Sequence, residues 1–191
     1  EQENRSATDA EKEILSKYVG WGGIPQAFDK NNESWSTEYT QLKELLTHQE
    51  YRQANASVLD AFYTSPVVID GIYEALENFG FQGGNVLEPA MGVGNFFGRM
   101  PEEMQKNSRL YGVEIDSISG RIAQKLYPDA DIAIQGFEKN NFQNGCFDVA
   151  VGNVPFGELS FKDDKHGTTK LHDYFFSETL DKVKDGGIVA F

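Results

Sequence analysis

Three segments of this chain carry ligand-gripping residue types where an α/β fold would present them. The first is Val86-Leu87-Glu88-Pro89-Ala90-Met91-Gly92-Val93-Gly94-Asn95-Phe96-Phe97. Glycine after a strand lets the backbone turn tightly and approach a ligand, and the helix that follows presents free N–H groups. Gly92-x-Gly94 is shared with nicotinamide-dependent enzymes. Glu88, in Glu88-Pro89-Ala90, is more telling, because an acid at a strand tip can accept from an ammonium group, a task pyrophosphate binding does not require. The second segment is Tyr111-Gly112-Val113-Glu114-Ile115-Asp116, in which Glu114 lies 20 residues beyond Gly94. At that spacing a carboxylate meets two vicinal ribose hydroxyls, which predicts an adenosine-containing cofactor without choosing one. Asp116 is expected to cap the next helix or to stay solvated. The third is Phe147-Asp148-Val149-Ala150-Val151-Gly152-Asn153-Val154-Pro155-Phe156-Gly157. Here Asn153 offers a carbonyl acceptor, Val154 its backbone carbonyl, Pro155 a stiff loop and Phe156 a flat face. Such a set can grip a planar group bearing an exocyclic amine.

The elements that must position these residues follow from patterning. Five strands are predicted: Asn85–Glu88, Arg109–Glu114, Asp131–Gln135, Phe147–Gly152 and Gly187–Phe191. Helical patterns fall between most of them, over Asn95–Arg99, Glu102–Lys106, Ser117–Leu126 and Tyr174–Lys184. This alternation indicates a mainly parallel sheet covered on both faces. Ahead of it, Ser65-Pro66 reads as an N-cap with proline in the first turn, opening a helix through Val68, Ile69, Ile72, Tyr73 and Leu76 that ends by Gly80. Thr64, Ser65 and that helix start either bind a carboxylate or merely cap. Residues 1–56 differ in texture, being polar and helical. Thr8 and Glu11 have capping-box spacing, further helices are expected from about Ser36 and over Gln49–Asn55, and Trp21 and Trp35 are expected as packing anchors.

The chain has 191 residues, 17 Lys+Arg and 30 Asp+Glu, a formal charge of −13. An acidic surface repels phosphates, so this segment alone is expected to bind nucleic acid weakly. No apolar run approaches the roughly 18 residues of a membrane span, and the polar opening EQENRSATDAEKE does not read as a signal peptide. A single cysteine, Cys146, excludes an internal disulfide and fits a reducing, cytoplasmic setting. His48, His166 and His172 are too dispersed to predict a metal site. Phe161–Gly167 reads as a solvated loop, or as a lid ordered by substrate. The closing Gly187–Phe191 strand reads as a cut, which predicts an excerpt of a longer protein.

Four segments in this order resemble the class I S-adenosylmethionine-dependent N6-adenine DNA methyltransferases: Tyr63-Thr64-Ser65-Pro66, Glu88-Pro89-Ala90-x-Gly92-x-Gly94, Gly112-Val113-Glu114-Ile115-Asp116 and Asn153-Val154-Pro155-Phe156. The match spans roughly residues 57–191. More narrowly, Lys17–Gly23, Gly120–Ala123 and His172-Asp173-Tyr174-Phe175-Phe176 look like the large methyltransferase–helicase proteins of conjugative elements and phages, which are DNA-modification or antirestriction factors. The resemblance implies a Rossmann-like sheet truncated after about five of seven strands, a helical N-terminal extension over 1–56 and a methyltransferase domain over 57–191. It implies S-adenosylmethionine as cofactor, DNA as partner through regions largely outside this chain, and a fused helicase. On it, Glu88, Pro89, Ala90, Gly92, Gly94 and Asn95 surround the methionine part with help from Thr64. Glu114 holds the ribose, Ile115 and Phe137 sandwich the cofactor adenine, and Asn153, Val154, Pro155 and Phe156 receive the target base.

Two departures from the family pattern stand out. Val154 replaces a proline of the usual Asn/Asp-Pro-Pro-Tyr/Phe tetrad, and Gly136 stands where an acid usually holds the cofactor amino group, leaving Glu138 to compensate. Two alternatives therefore stand beside adenine methylation in DNA. One is a cofactor-binding or scaffold module with weak or no activity, and the other is N-methylation of RNA or of a protein amide.

Overall fold

The computed structural model describes residues 5–58, 64–156, 160–163 and 167–191. Ala61–Tyr63, which lead into the Ser65-Pro66 helix, lie outside the described residues, as do Gly157 and Asp164–His166. The strands are β1 (Asn85–Glu88), β2 (Arg109–Glu114), β3 (Asp131–Ile134), β4 (Phe147–Val151), β5 (Ser160–Asp163), β6 (Gly167–Lys170) and β7 (Val183–Ala190). Five of them form one sheet in the order β3-β2-β1-β4-β7, with every described pairing parallel. Because the chain steps from β1 to β2 and β3 on one side and then returns to place β4 on the other, the strand order reverses between β2 and β4, beside β1. In open α/β sheets ligands bind beyond the carboxyl ends of the strands at such a reversal. Glu88, Glu114 and Val151 all end strands on that edge.

The helices are α1 (Asp9–Leu15), α2 (Ser36–Leu45), α3 (His48–Ser57), α4 (Pro66–Asn78), α5 (Asn95–Arg99), α6 (Glu102–Lys106), α7 (Ser117–Leu126) and α8 (Leu171–Lys182). Alternation of side chains along the strands splits the core between the sheet's faces. Val86, Val149 and Val151 pack with Ile69, Tyr73 and Leu76 of α4 and with Phe96, Met100 and Met104. Leu87, Val113 and Ala150 pack with Phe137, Phe147, Val154, Tyr174 and Phe175. Both layers are anchored by side chains with almost no exposure, which is why the central strands read as continuous apolar runs.

The N-terminal helices dock on the loop that follows β2. Glu50 of α3 pairs with Arg121 of α7 at 2.7 Å, Gln53 donates to the Ile115 carbonyl at 3.3 Å, and Ser117 donates to Gln53 at 2.7 Å. The capping box at Thr8 and Glu11 is present as expected, and a second one joins Thr47 to Glu50. Trp21 meets Tyr18 and Phe28 edge-on, at centroid distances of 6.1 and 5.5 Å, as a packing anchor would.

Two expectations need correction. The last helix ends at Lys182 rather than Lys184, and the strand after it begins at Val183. Its ladder with β4 pairs Phe147 with Val183, then resumes at Val149 with Ile188. The chain leaves and rejoins through Gly186, at φ 78°, and Gly187, where a Cβ would lie 2.5 Å from Val183 Cγ1. Phe161–Asp163 and Gly167, expected in a loop, belong instead to an antiparallel pair, with Phe161 opposite Thr169 and Lys162 opposite Thr168. β-Branched Thr168 and Thr169 favour that extended backbone over a solvated coil. Ser65 sits at the N-cap of α4 with Pro66 in its first turn, as expected, though its side chain makes no capping hydrogen bond.

Candidate active site

The glycine turn begins where β1 stops. Gly92 and Gly94 have φ of 57° and 83°, the left-handed region that side chains disfavour. The turn closes when the Gly94 N–H donates to the Met91 carbonyl at 2.8 Å, and it is tied to β2 by Met91 N–H donating to Val113 at 3.0 Å. Gly94 also lacks room for a side chain, since a Cβ there would lie 2.5 Å from the Tyr127 ring. Tyr127 was not anticipated as part of this site. Its hydroxyl donates to the Gly94 carbonyl at 2.7 Å, and burial pushes its phenol up to about 12, with Glu88 adding to the effect. The only sequence sign of this role is its place immediately after the α7 pattern.

Glu88 is 2% exposed, and its Oε2 is buried without a hydrogen-bond partner. Burial, reinforced by the nearby charge of Glu114, holds its carboxyl well above the usual range. Glu114 is itself buried at 9% exposure. Its Oε2 accepts from the Gly92 N–H and its Oε1 from the Asp116 N–H, both at 2.7 Å. These bonds favour the anion, yet burial outweighs them and carries Glu114 up to about 7. Glu114 thus locks the glycine turn to the end of β2. Asp116 caps α7, accepting from Ser119 N–H at 2.9 Å and Ser119 hydroxyl at 2.7 Å.

The other predicted residues divide into those the fold brings to this edge and those it does not. Pro89 is buried, Ala90 and Asn95 are half-buried in the glycine turn, and Thr64 is half-buried just ahead of α4. Ile115 is 67% exposed at the end of β2, open to a planar ligand. Phe137 is not: at 3% exposure its ring stacks on Phe175 with centroids 5.3 Å apart and planes at 12°. The expected sandwich of Ile115 and Phe137 is therefore corrected, because the apolar layer beneath α8 has claimed the Phe137 ring. Glu138 is exposed, and its carboxylate folds back over the Cα of Gly136, into the space that a side chain at 136 would fill. A carboxylate therefore lies beside position 136 although residue 136 itself is glycine.

The Asn153–Phe156 segment leaves β4 beside β1. A Cβ on Gly152 would make ordinary contacts with Pro89 Cδ at 3.6 Å and Glu88 Cγ at 3.7 Å, so the two strand ends adjoin. Val154 is 1% exposed, in the same apolar cluster as Leu87, Phe137 and Phe175. Its burial supplies the anchoring that a proline ring would otherwise give this loop. Asn153 and Pro155 are half-buried and Phe156 is 62% exposed, a large apolar face left open at the site's rim. A separate 600 Å³ cavity lies between α1 and α7, lined by Arg5, Glu11, Ile118, Arg121 and Lys125, away from these strand ends.

No protein-family model matches the chain. Its architecture does match a solved structure, the methyltransferase subunit of a type I restriction-modification system from Streptococcus thermophilus, at TM-score 0.53 and 16% identity. That match covers 89% of this chain and 45% of the other. The chain has the Rossmann-like methyltransferase fold. In sequence this methyltransferase-fold chain is similar to Defense against restriction protein B of Escherichia phage P1, at 30% identity over 189 residues. It is also similar to Modification methylase CviBIII of Paramecium bursaria Chlorella virus NC1A, at 26% over 168 residues. The expected kinship with phage and viral methyltransferases and antirestriction proteins is borne out. The chain spans 7% of the length of the phage protein and 43% of the viral methylase. Among the described residues no helix is long and apolar enough to cross a membrane.

Proposed function

We propose that this chain binds S-adenosylmethionine across the ends of β1 and β2 and methylates the exocyclic N6 amine of adenine in DNA. The observation that carries the proposal is Glu88: a buried carboxyl with an unpartnered oxygen, beside a left-handed glycine turn and against the strand end that delivers Asn153–Phe156. A buried acid without a partner is costly, and a cationic ligand group removes that cost. The residues present fit such a cofactor. Glu88 and the turn would hold the methionine part, Glu114 the ribose, and Ile115 with Glu138 the adenine. When bound, S-adenosylmethionine supplies an electrophilic methyl group on a sulfonium.

The chain's own residues then have to prepare a poor nucleophile, because the lone pair of an aromatic amine is delocalised into its ring. Asn153 and the Val154 carbonyl would accept both N6 hydrogens, drawing the nitrogen toward tetrahedral geometry. Phe156 would hold the base by its face and favour a nearby cation. No strong base is needed, since the amine proton becomes acidic on alkylation and can leave to water. A base in duplex DNA must first be flipped, at a cost on the order of a few kcal/mol. With a charge of −13 this chain is poorly suited to supply that from phosphate contacts. The DNA grip, and with it a fused helicase, is accordingly assigned to other parts of a longer protein.

The same acidity favours a second reading, in which the domain binds cofactor and serves as a scaffold in an antirestriction factor. Calorimetry with S-adenosylmethionine, followed by transfer of labelled methyl to DNA, separates the two. Transfer to adenine that is lost in Asn153→Ala, with cofactor affinity retained, supports the enzyme. Cofactor binding without transfer by the longer protein supports the scaffold, and label recovered in RNA or in glutamine overturns the DNA assignment.

A further inference from the structure

One motif is not absorbed by that reading: His172-Asp173-Tyr174-Phe175-Phe176, at the start of α8. Tyr174 and Phe175 are buried, at 4% and 8% exposure, in the cluster that also holds Val154. Phe156 lies two residues after Val154, and His172 lies two residues before Tyr174. The two rings that emerge from this shared anchor are centred 6.4 Å apart with their planes at 34°. They are neither stacked on each other nor edge-to-face, and Phe156 stays 62% exposed beside its neighbour. The imidazole is poorly satisfied as well. Its Nδ1 is buried without a hydrogen-bond partner, and Nε2 lies 3.5 Å from Asp173 Oδ1, at the limit of a useful contact. If packing alone were required, a phenyl ring would do the same without stranding a polar nitrogen.

We infer that His172 is a base-contacting residue, forming with Phe156 the two sides of the slot that receives the flipped base. This rests on the assignment of Asn153–Phe156 to the target base. A flat heterocycle requires roughly 3.4 Å on each face, so rings centred 6.4 Å apart with planes at 34° admit one by swinging parallel and parting slightly. The common anchoring of Val154, Tyr174 and Phe175 holds the two walls in register, so binding does not have to order both. The same slot also explains why a large exposed phenyl ring persists at this rim.

The test is fluorescence titration of a single-stranded oligothymidylate carrying one 2-aminopurine, using the chain and its His172→Ala, His172→Phe and Phe156→Ala variants. Stacking predicts that His172→Ala weakens binding about tenfold. His172→Phe, which keeps a flat ring, should return it to within about threefold of the parent. S-adenosylmethionine affinity and melting temperature should stay unchanged in both. If Phe156→Ala weakens binding and His172→Ala does not, the inference is overturned while the base site stands. If His172→Ala lowers melting temperature and cofactor affinity and phenylalanine fails to rescue, the residue is structural and the inference is again overturned. If neither Phe156→Ala nor His172→Ala changes the titration, the assignment of Asn153–Phe156 fails and the inference falls with it.

Discussion

Replacing Glu88 by Gln isolates the chemistry of the β1 tip. Both Glu88 and Glu114 are held above their ordinary value near 4.5, chiefly by burial. A carboxyl raised in the folded state binds its proton more tightly there than in the unfolded chain. Its stabilisation is complete below pH 4.5 and is lost as pH rises toward the folded value. For Glu114, going from 4.5 to about 7, the loss amounts to about 3 kcal/mol, at about 1.4 kcal/mol for each pH unit. Glu88 adds a similar slope while it keeps its proton. Gln mimics the protonated acid, and because Oε2 has no partner the new amide breaks no hydrogen bond there. Any fixed cost of the amide is independent of pH. The stability difference between Glu88→Gln and the parent should therefore grow in the variant's favour as pH rises above 4.5, at up to about 1.4 kcal/mol for each pH unit over which Glu88 keeps its proton. Contributions of the distant surface acids cancel in that difference. Urea unfolding across this range measures it, and calorimetry should show cofactor binding weakened at least about tenfold in the variant. Parallel pH profiles for variant and parent would refute the argument, because Glu88 would then be ionised in the ligand-free fold.

Two further substitutions probe the same edge. Gly94→Ala forces a side chain onto a residue at φ 83° and against the Tyr127 ring. It should destabilise the fold by about 2 kcal/mol or more, read as a lowered urea midpoint at unchanged m-value. Glu138→Ala removes an exposed carboxylate, so stability should hold within about 0.5 kcal/mol. S-adenosylmethionine affinity should fall about tenfold if this acid stands in for one at 136, whereas unchanged affinity by calorimetry would remove Glu138 from the site.

Much of this architecture was legible because local and tertiary signals agree. β1, β2 and the helix Ser117–Leu126 lie where apolar runs and the cap at Asp116 put them. What escaped was decided by contacts distant in sequence. Phe137 is an aromatic at a strand end, and sequence alone does not say whether α8 or a ligand takes its face; Phe175 takes it here. The β5–β6 pair escaped because its polar residues lack an apolar face to alternate. The role of Tyr127 rests on a hydrogen bond to a residue 33 positions away.

The departures from the family pattern look different once these contacts are known. In sequence, Val154 and Gly136 both read as losses, and together they favour a module without chemistry. In space each has a neighbour suited to offset it. Val154 trades the stiffness of a proline ring for near-complete burial beneath α8, which restrains the loop through packing. Gly136 leaves a gap that the Glu138 carboxylate fills. The unpartnered acid buried at Glu88 costs stability unless a ligand satisfies it, since a buried polar group without a partner is unfavourable. That cost argues more strongly for a cofactor site at the β1 tip than the two substitutions argue against one.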